Sequence, residues 1–153
     1  MFAQAEHDEL AQAILMTSSM KLINSVNLKI SSLIKKQSRK EIIEKSLNKR
    51  GLFIKVNNIK EIINITNEIA PEHLEIFGYE GMKLETKIDN AGAIFIGKNS
   101  PEVFGDYCAG PNHVLPTSGS AKYASPLGVY DFLKRTSLMK ISLAHSRELS
   151  TTA

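Results

Sequence analysis

Apolar positions in this chain recur with a period that changes along its length, and the changes mark out its elements. Ala13-Ile14-Leu15-Met16-Thr17 is a short apolar run between polar residues and reads as a buried strand. From about Ser19 to Gln37, Leu22, Val26, Ile30, Leu33 and Ile34 form one stripe at helical spacing, which predicts an amphipathic helix with those residues facing inward. A second helix is expected over about Ser38 to Lys49, turning Ile42, Ile43 and Leu47 inward, with Gly51 just beyond its end as a left-handed cap. Leu52 to Val56 reads as a strand. Asn57 or Asn58 then caps a helix whose Ile59, Ile62, Ile63 and Ile69 face the core. Pro71 ends that helix and is expected to hold Ala70 extended.

Further on, Ala93 to Gly97 is another buried strand, and Ser100-Pro101-Glu102 opens a short helix with a serine cap and proline at its first position. Leu127 to Lys134 reads either as helix or as extended chain, and Leu138 to Ser142 as a short strand. Strand-like runs alternating with amphipathic helices imply an α/β fold, a mainly parallel sheet flanked by helices, as in part of a Rossmann-like domain. No Gly-rich nucleotide-binding loop accompanies that alternation, so the residues themselves mark no cofactor-binding position.

Composition narrows the classes. With 153 residues, 42% of them hydrophobic and 23% charged, the chain can bury one independent core of ordinary globular character. Cys108 is its one cysteine, which excludes an intrachain disulfide and a cysteine-based zinc cluster and fits a reducing compartment. No apolar run approaches the roughly 20 residues needed to cross a bilayer, and Met1 to His7 lacks the basic start and apolar middle of a signal peptide. A soluble, cytoplasmic protein without a membrane partner is expected. Lys35, Lys36, Arg39, Lys40, Lys45, Lys49 and Arg50 form a basic cluster, but Phe53 is the sole aromatic near it. Lysines opposite an apolar stripe form a solvated face, so no nucleic-acid partner is inferred.

Three stretches carry candidate chemistry. Gly105 to Ser120 sets Asp106 and His113 seven residues apart, in a segment that Gly110, Pro111, Pro116 and Gly119 keep from becoming helix or central strand. An ordinary surface loop would use the same glycines and prolines. Near the start, Gln4 and His7 stand three apart, a workable metal-ligand spacing if Ala3 to His7 is a helical turn, although a frayed polar terminus reads the same way. Third, Glu72 and His73 follow Pro71 directly. A carboxylate beside an imidazole suits proton transfer near neutral pH, and a solvent-exposed acidic turn is the alternative.

Taken together, Ala3-Gln4-Ala5-Glu6-His7-Asp8, Ala70-Pro71-Glu72-His73-Leu74, Asn90-Ala91-Gly92-Ala93-Ile94-Phe95, Gly105-Asp106-Tyr107, Asn112-His113-Val114-Leu115-Pro116-Thr117 and Asp131-Phe132-Leu133-Lys134-Arg135 resemble, in order and context, the motifs of histidinol dehydrogenase. The resemblance covers about residues 1–142, which implies a partial catalytic domain there and a divergent or disordered tail over 143–153. It implies an NAD-dependent, zinc-binding enzyme that oxidises L-histidinol through L-histidinal to L-histidine, the last steps of histidine biosynthesis. Gln4, His7 and Asp106 match that family's zinc ligands, His73 its proton-accepting base and Glu72 the carboxylate that activates water. With His113, the ligands and His73 would line the substrate pocket.

Members of that family are homodimers and much longer. The portion that holds most of the NAD site, and a carboxyl-terminal tail that completes the neighbouring subunit's zinc site, have no counterpart here. The expectation is therefore a fragment or truncated copy without turnover of its own. A non-catalytic remnant serving as a packing or assembly module is the alternative.

Overall fold

The computed structural model describes residues 1–78 and 84–152. A single helical turn, α1 (Phe2–Ala5), leads into β1 (Ala13–Thr17), which is followed by α2 (Met20–Leu33), a 3-10 turn at Ile34–Lys36, α3 (Lys40–Arg50) and β2 (Gly51–Lys55). Next come α4 (Ile59–Ile69), β3 (His73–Ile76), β4 (Ala93–Ile96), α5 (Glu102–Tyr107) and, near the carboxyl end, α6 (Leu143–Leu149). The fold is α/β with parallel strands flanked by helices. Its strands form two separate pairs among the described residues: β1 with β2, from Ala13↔Gly51 to Thr17↔Lys55, and β3 with β4, from His73↔Ala93 to Ile76↔Ile96.

The first pair is closed by the helices that connect its strands. Ile43 on α3 and Val56 after β2 are 0% and 1% exposed, and α3 packs on both strands and on α1. Ser46, also on α3, is fully buried because its hydroxyl donates to the Ala11 carbonyl at 2.8 Å, tying the helix to the approach of β1. Lys45 on the same helix reaches Glu9 at 2.6 Å, and that hydrogen bond raises the lysine's pKa. Both side chains are solvated, so the pair orients more than it stabilises.

Several local expectations are corrected. On α2 the buried residue is Ile23, whereas Leu22 and Leu33 are 45% and 42% exposed, so the helix is rotated relative to the expected stripe. Gly51 is extended (φ −74°, ψ 132°) and begins β2; it makes no left-handed cap. Glycine is required there by proximity, because a Cβ would lie 2.5 Å from the Leu47 carbonyl oxygen. Ala70 is left-handed (φ 50°, ψ 64°) and not extended, with its N–H bonded to the Thr66 carbonyl at 2.8 Å. The following proline bars the right-handed helical region, and the helix ends by turning left instead. α5 begins one residue later than expected: Pro101 is its cap residue in place of Ser100, and no side chain caps that helix.

The link between α4 and β4 is made by amides. Asn67 on α4 accepts from the backbone N–H groups of Asp89 (2.9 Å) and Asn90 (3.1 Å), and the Asn90 amide donates to the Asn67 carbonyl at 3.0 Å. This fixes where the chain enters β4. Beyond residue 122 the chain is mostly exposed: Val129–Phe132 is a 3-10 turn, and Leu138 to Ser142 forms no strand. Leu138 is 94% exposed, with no neighbouring strand edge to pair with among the described residues. From residue 143 onward, where a tail was expected, Ser142 caps α6 by accepting from the His145 N–H at 3.3 Å; Ala153 lies outside the described residues.

At the start of α4, the Asn58 side chain accepts from the Glu61 N–H at 3.0 Å while the Asn57 N–H donates to the Glu61 carboxylate at 2.8 Å, a reciprocal cap that lowers the Glu61 pKa. A depressed carboxylate stabilises the fold above its ordinary value of 4.5 and loses that contribution as pH falls through the lower folded value. Glu61→Gln should therefore lower the melting temperature at pH 7, and the two melting curves should converge on acidification; a gap independent of pH would contradict the cap.

Candidate functional site

The site is built where α5 lies on the second strand pair. Gly105 makes the approach possible: a Cβ there would stand 2.6 Å from Cε1 and 2.9 Å from Cζ of Phe95, the buried side chain of β4. On the neighbouring strand the backbone on either side of Glu72 is fixed, since the Gly92 N–H donates to the Pro71 carbonyl at 2.9 Å and the Ala93 N–H to the Glu72 carbonyl at 2.8 Å. His73 opens β3 from that anchored position, with its ring tilted 35° to the Phe95 ring at a centroid distance of 6.1 Å.

Glu102 and Asp106 are four apart on α5 and share a face. They flank the imidazole: Glu102 Oε1 lies 3.8 Å from His73 Nδ1, and Asp106 Oδ1 lies 3.7 Å from Nε2. The three side chains are 15% to 21% exposed, and their nearest donor atoms all fall within 4.8 Å of one another. Both ring nitrogens are buried without a hydrogen-bond partner among the described residues. A buried polar atom left so costs about 1–3 kcal/mol, and the arrangement suits a shared proton, a cation or a polar substrate group.

Asp106 also borders a cavity of about 220 Å³ walled by Gly92, Phe95, Gly105, Asn112 and Leu115. The lining is mostly apolar with the carboxylate at its edge, a form that accepts a small molecule with one polar end.

The structure brings together two of the sequence-derived candidates, His73 and Asp106. Gln4 and His7 sit at the start of the chain, on and just after α1, where the His7 N–H donates to the Gln4 carbonyl at 3.4 Å; His7 lies outside the three-residue donor group. Glu72 is half-buried just before β3, and His113 is exposed in the loop after α5. Asp106 is in the last turn of α5 and not in that loop. Glu102 is the member of this group that the sequence does not nominate, since there it serves only to open a helix. Its spacing of four to Asp106 was the available signal, but the imidazole between them comes from another part of the chain.

A family model described as histidinol dehydrogenase matches residues 1–153. The chain is 52% identical over its whole length to a histidinol dehydrogenase of Dechloromonas aromatica (strain RCB) and 50% identical to one of Nitrosospira multiformis, covering 35% of each. It superposes on the crystal structure of histidinol dehydrogenase from Elizabethkingia anophelis with a TM-score of 0.89 at 29% identity, over 99% of this chain and 35% of that one. The chain thus spans about a third of the length of the relatives it matches, and the match continues through α6.

Because α5 sits on β4 through the Gly105 contact, Gly105→Ala should cost about 1–3 kcal/mol by overpacking. Combining it with Phe95→Leu should recover part of that loss, since the two changes share one space. Denaturation midpoints of the two single variants and the double variant check this; strict additivity would show that the ring does not set the distance.

Proposed function

The chain belongs to the histidinol dehydrogenase family, and on that footing we propose that it is the part of such an enzyme that carries the proton-transfer groups and most of the metal ligands for oxidising L-histidinol to L-histidine in the cytoplasm. The observation that carries the reading is the buried imidazole of His73, without a hydrogen-bond partner among the described residues, set against the Asp106 carboxylate.

His73 is the base in this reading. An alcohol loses a proton from oxygen as hydride leaves carbon, and an imidazole held at the edge of a shielded site is suited to take that proton. Its neighbour Glu72 has the second task, drawing a proton from the water that adds to the aldehyde before the second oxidation. The pair is separated by the strand itself, since successive residues of an extended chain point to opposite faces. Two tasks on adjacent residues then need a bend at the strand's start, and β3 begins at His73, three residues after the left-handed Ala70, with Pro71 and Glu72 between them.

An amide oxygen, an imidazole and a carboxylate are a donor set that suits zinc, and of these Asp106 stands in the His73–Glu102–Asp106 group, while Gln4 and His7 lie on and just after α1. Gln4, His7 and Asp106 would hold the ion. When bound, zinc would give the substrate's amine and imidazole a fixed electrophilic anchor, and NAD would accept the hydride. Asp106 then positions substrate toward His73, and His113 in the following loop lines the approach. NAD contacts and a second subunit complete the site in this reading, so the 153-residue chain by itself has no turnover.

Zinc with histidinol should raise the melting temperature of the 153-residue chain, because a ligand that prefers the folded form stabilises it. Asp106→Ala should abolish the shift, and no NADH should form. A melting temperature indifferent to both ligands would favour a packing or assembly module, and NADH formation by the isolated chain would overturn the incomplete-site reading.

A further inference from the structure

The geometry points to Glu102 as the positioning residue of His73: its carboxylate accepts a hydrogen bond from Nδ1–H, which keeps the proton on that nitrogen and leaves the lone pair of Nε2 free on the side facing Asp106. This deepens the dehydrogenase reading and rests on it for the consequence in turnover, though the hydrogen-bond assignment stands apart from it. A neutral imidazole has one N–H and one lone pair, and which nitrogen carries the proton is set by the partner of the other. Here the two nitrogens face two different carboxylates, 3.8 Å and 3.7 Å away. A move of less than 1 Å by either carboxylate makes a hydrogen bond, and apo sites commonly close such gaps when they bind.

The two carboxylates are not equivalent. Asp106 borders the cavity and Glu102 does not line it. Asp106 is therefore the one whose oxygens other ligands can claim, leaving Glu102 as the acceptor dedicated to the ring. Both come from one helix at a spacing of four, so α5 presents them as a fixed fork, and the Gly105 contact with Phe95 holds the fork at the depth of the imidazole. Phe95 lies against the same imidazole and restricts the tilt of its plane. The device is an oriented base, with carboxylate, imidazole and reacting oxygen in a row. Glu102 acts through His73 and touches no substrate.

The test reads the tautomer and needs no activity. The metal-free 153-residue chain is labelled with 15N-histidine, and the ring nitrogens of His73, one of four histidines, are identified by their loss in His73→Gln. In mildly alkaline buffer Glu102→Ala leaves Asp106 as the facing carboxylate and should place the proton on Nε2. Asp106→Ala leaves Glu102 and should place it on Nδ1. Opposite tautomers in the two variants support the proposal; the same tautomer in both, or Nε2–H in Asp106→Ala, overturns it. Asp106→Ala decides the matter alone if Glu102→Ala does not fold, as judged from its amide spectrum.

In an assembly that turns histidinol over, Glu102→Ala should lower kcat about 10- to 100-fold, the range for a lost orienting partner. KM should change little, and Glu102→Asp should recover part of the rate. An unchanged kcat alongside switched tautomers would overturn the catalytic role of the orientation while leaving the dehydrogenase reading intact. Absence of any zinc or histidinol effect would sink that reading and leave the tautomer result standing.

Discussion

The seating of α5 on β4 governs the second half of this protein. A helix of six residues has too few backbone hydrogen bonds to persist alone, so its position comes from what it touches. What it touches is Phe95, across a gap that glycine at position 105 leaves open and that any side chain would fill. A bulkier contact would raise the helix off the strand and carry both of its carboxylates away from the imidazole at the start of β3. The parallel register of β3 and β4 does the complementary work, placing His73 beside Ala93, two residues from the ring on which the helix rests.

The sequence disclosed most of what is local. β1 falls on the five residues that its apolar run indicated, and α2, α3 and α4 lie where the helical periods put them. It was less informative where the decisive neighbour is distant or where two rules gave opposing advice. Gly51 looked like a helix cap because it follows a helix; its actual constraint is the nearby Leu47 carbonyl. Ala70 combines a helix end with a following proline, and the left-handed state satisfies both at a cost of about 1–2 kcal/mol for a non-glycine residue. Within the candidate site, Asp106 and His73 could be nominated from their own stretches. Glu102 could not, because its significance depends on an imidazole 29 residues earlier being folded back between two turns of one helix.

Leu138 to Ser142 departs from its expected strand for a related reason. Leu138, Met139 and Ile141 have strand-like composition, yet they are 94%, 81% and 45% exposed in a segment without pairing. Apolar pattern predicts burial only when something is present to bury against. Tyr123, Val129, Tyr130 and Phe132 are exposed to 74% or more in the same region. The chain spans about 35% of the length of the relatives it matches, and exposed apolar side chains grouped in this way form a surface suited to packing against further protein.

The distribution of carboxylates bears on how one site can hold both a metal ligand set and a base. A carboxylate has two oxygens and about four lone-pair positions, so Asp106 can face Nε2 with Oδ1 and still have acceptor capacity for other donors. That capacity is finite. If Gln4 and His7 meet Asp106 around a cation, the charge of Asp106 is drawn to the metal and its attraction for a proton on Nε2 weakens. The imidazole would then need another group to orient it, at the moment when, in the proposed reading, its lone pair must point at a substrate oxygen. In the proposed arrangement a second carboxylate, Glu102 facing Nδ1, would remove the conflict by holding the ring through an atom that takes no part in proton abstraction. Spacing the two acids one helical turn apart gives them separate tasks while keeping them on a single rigid element.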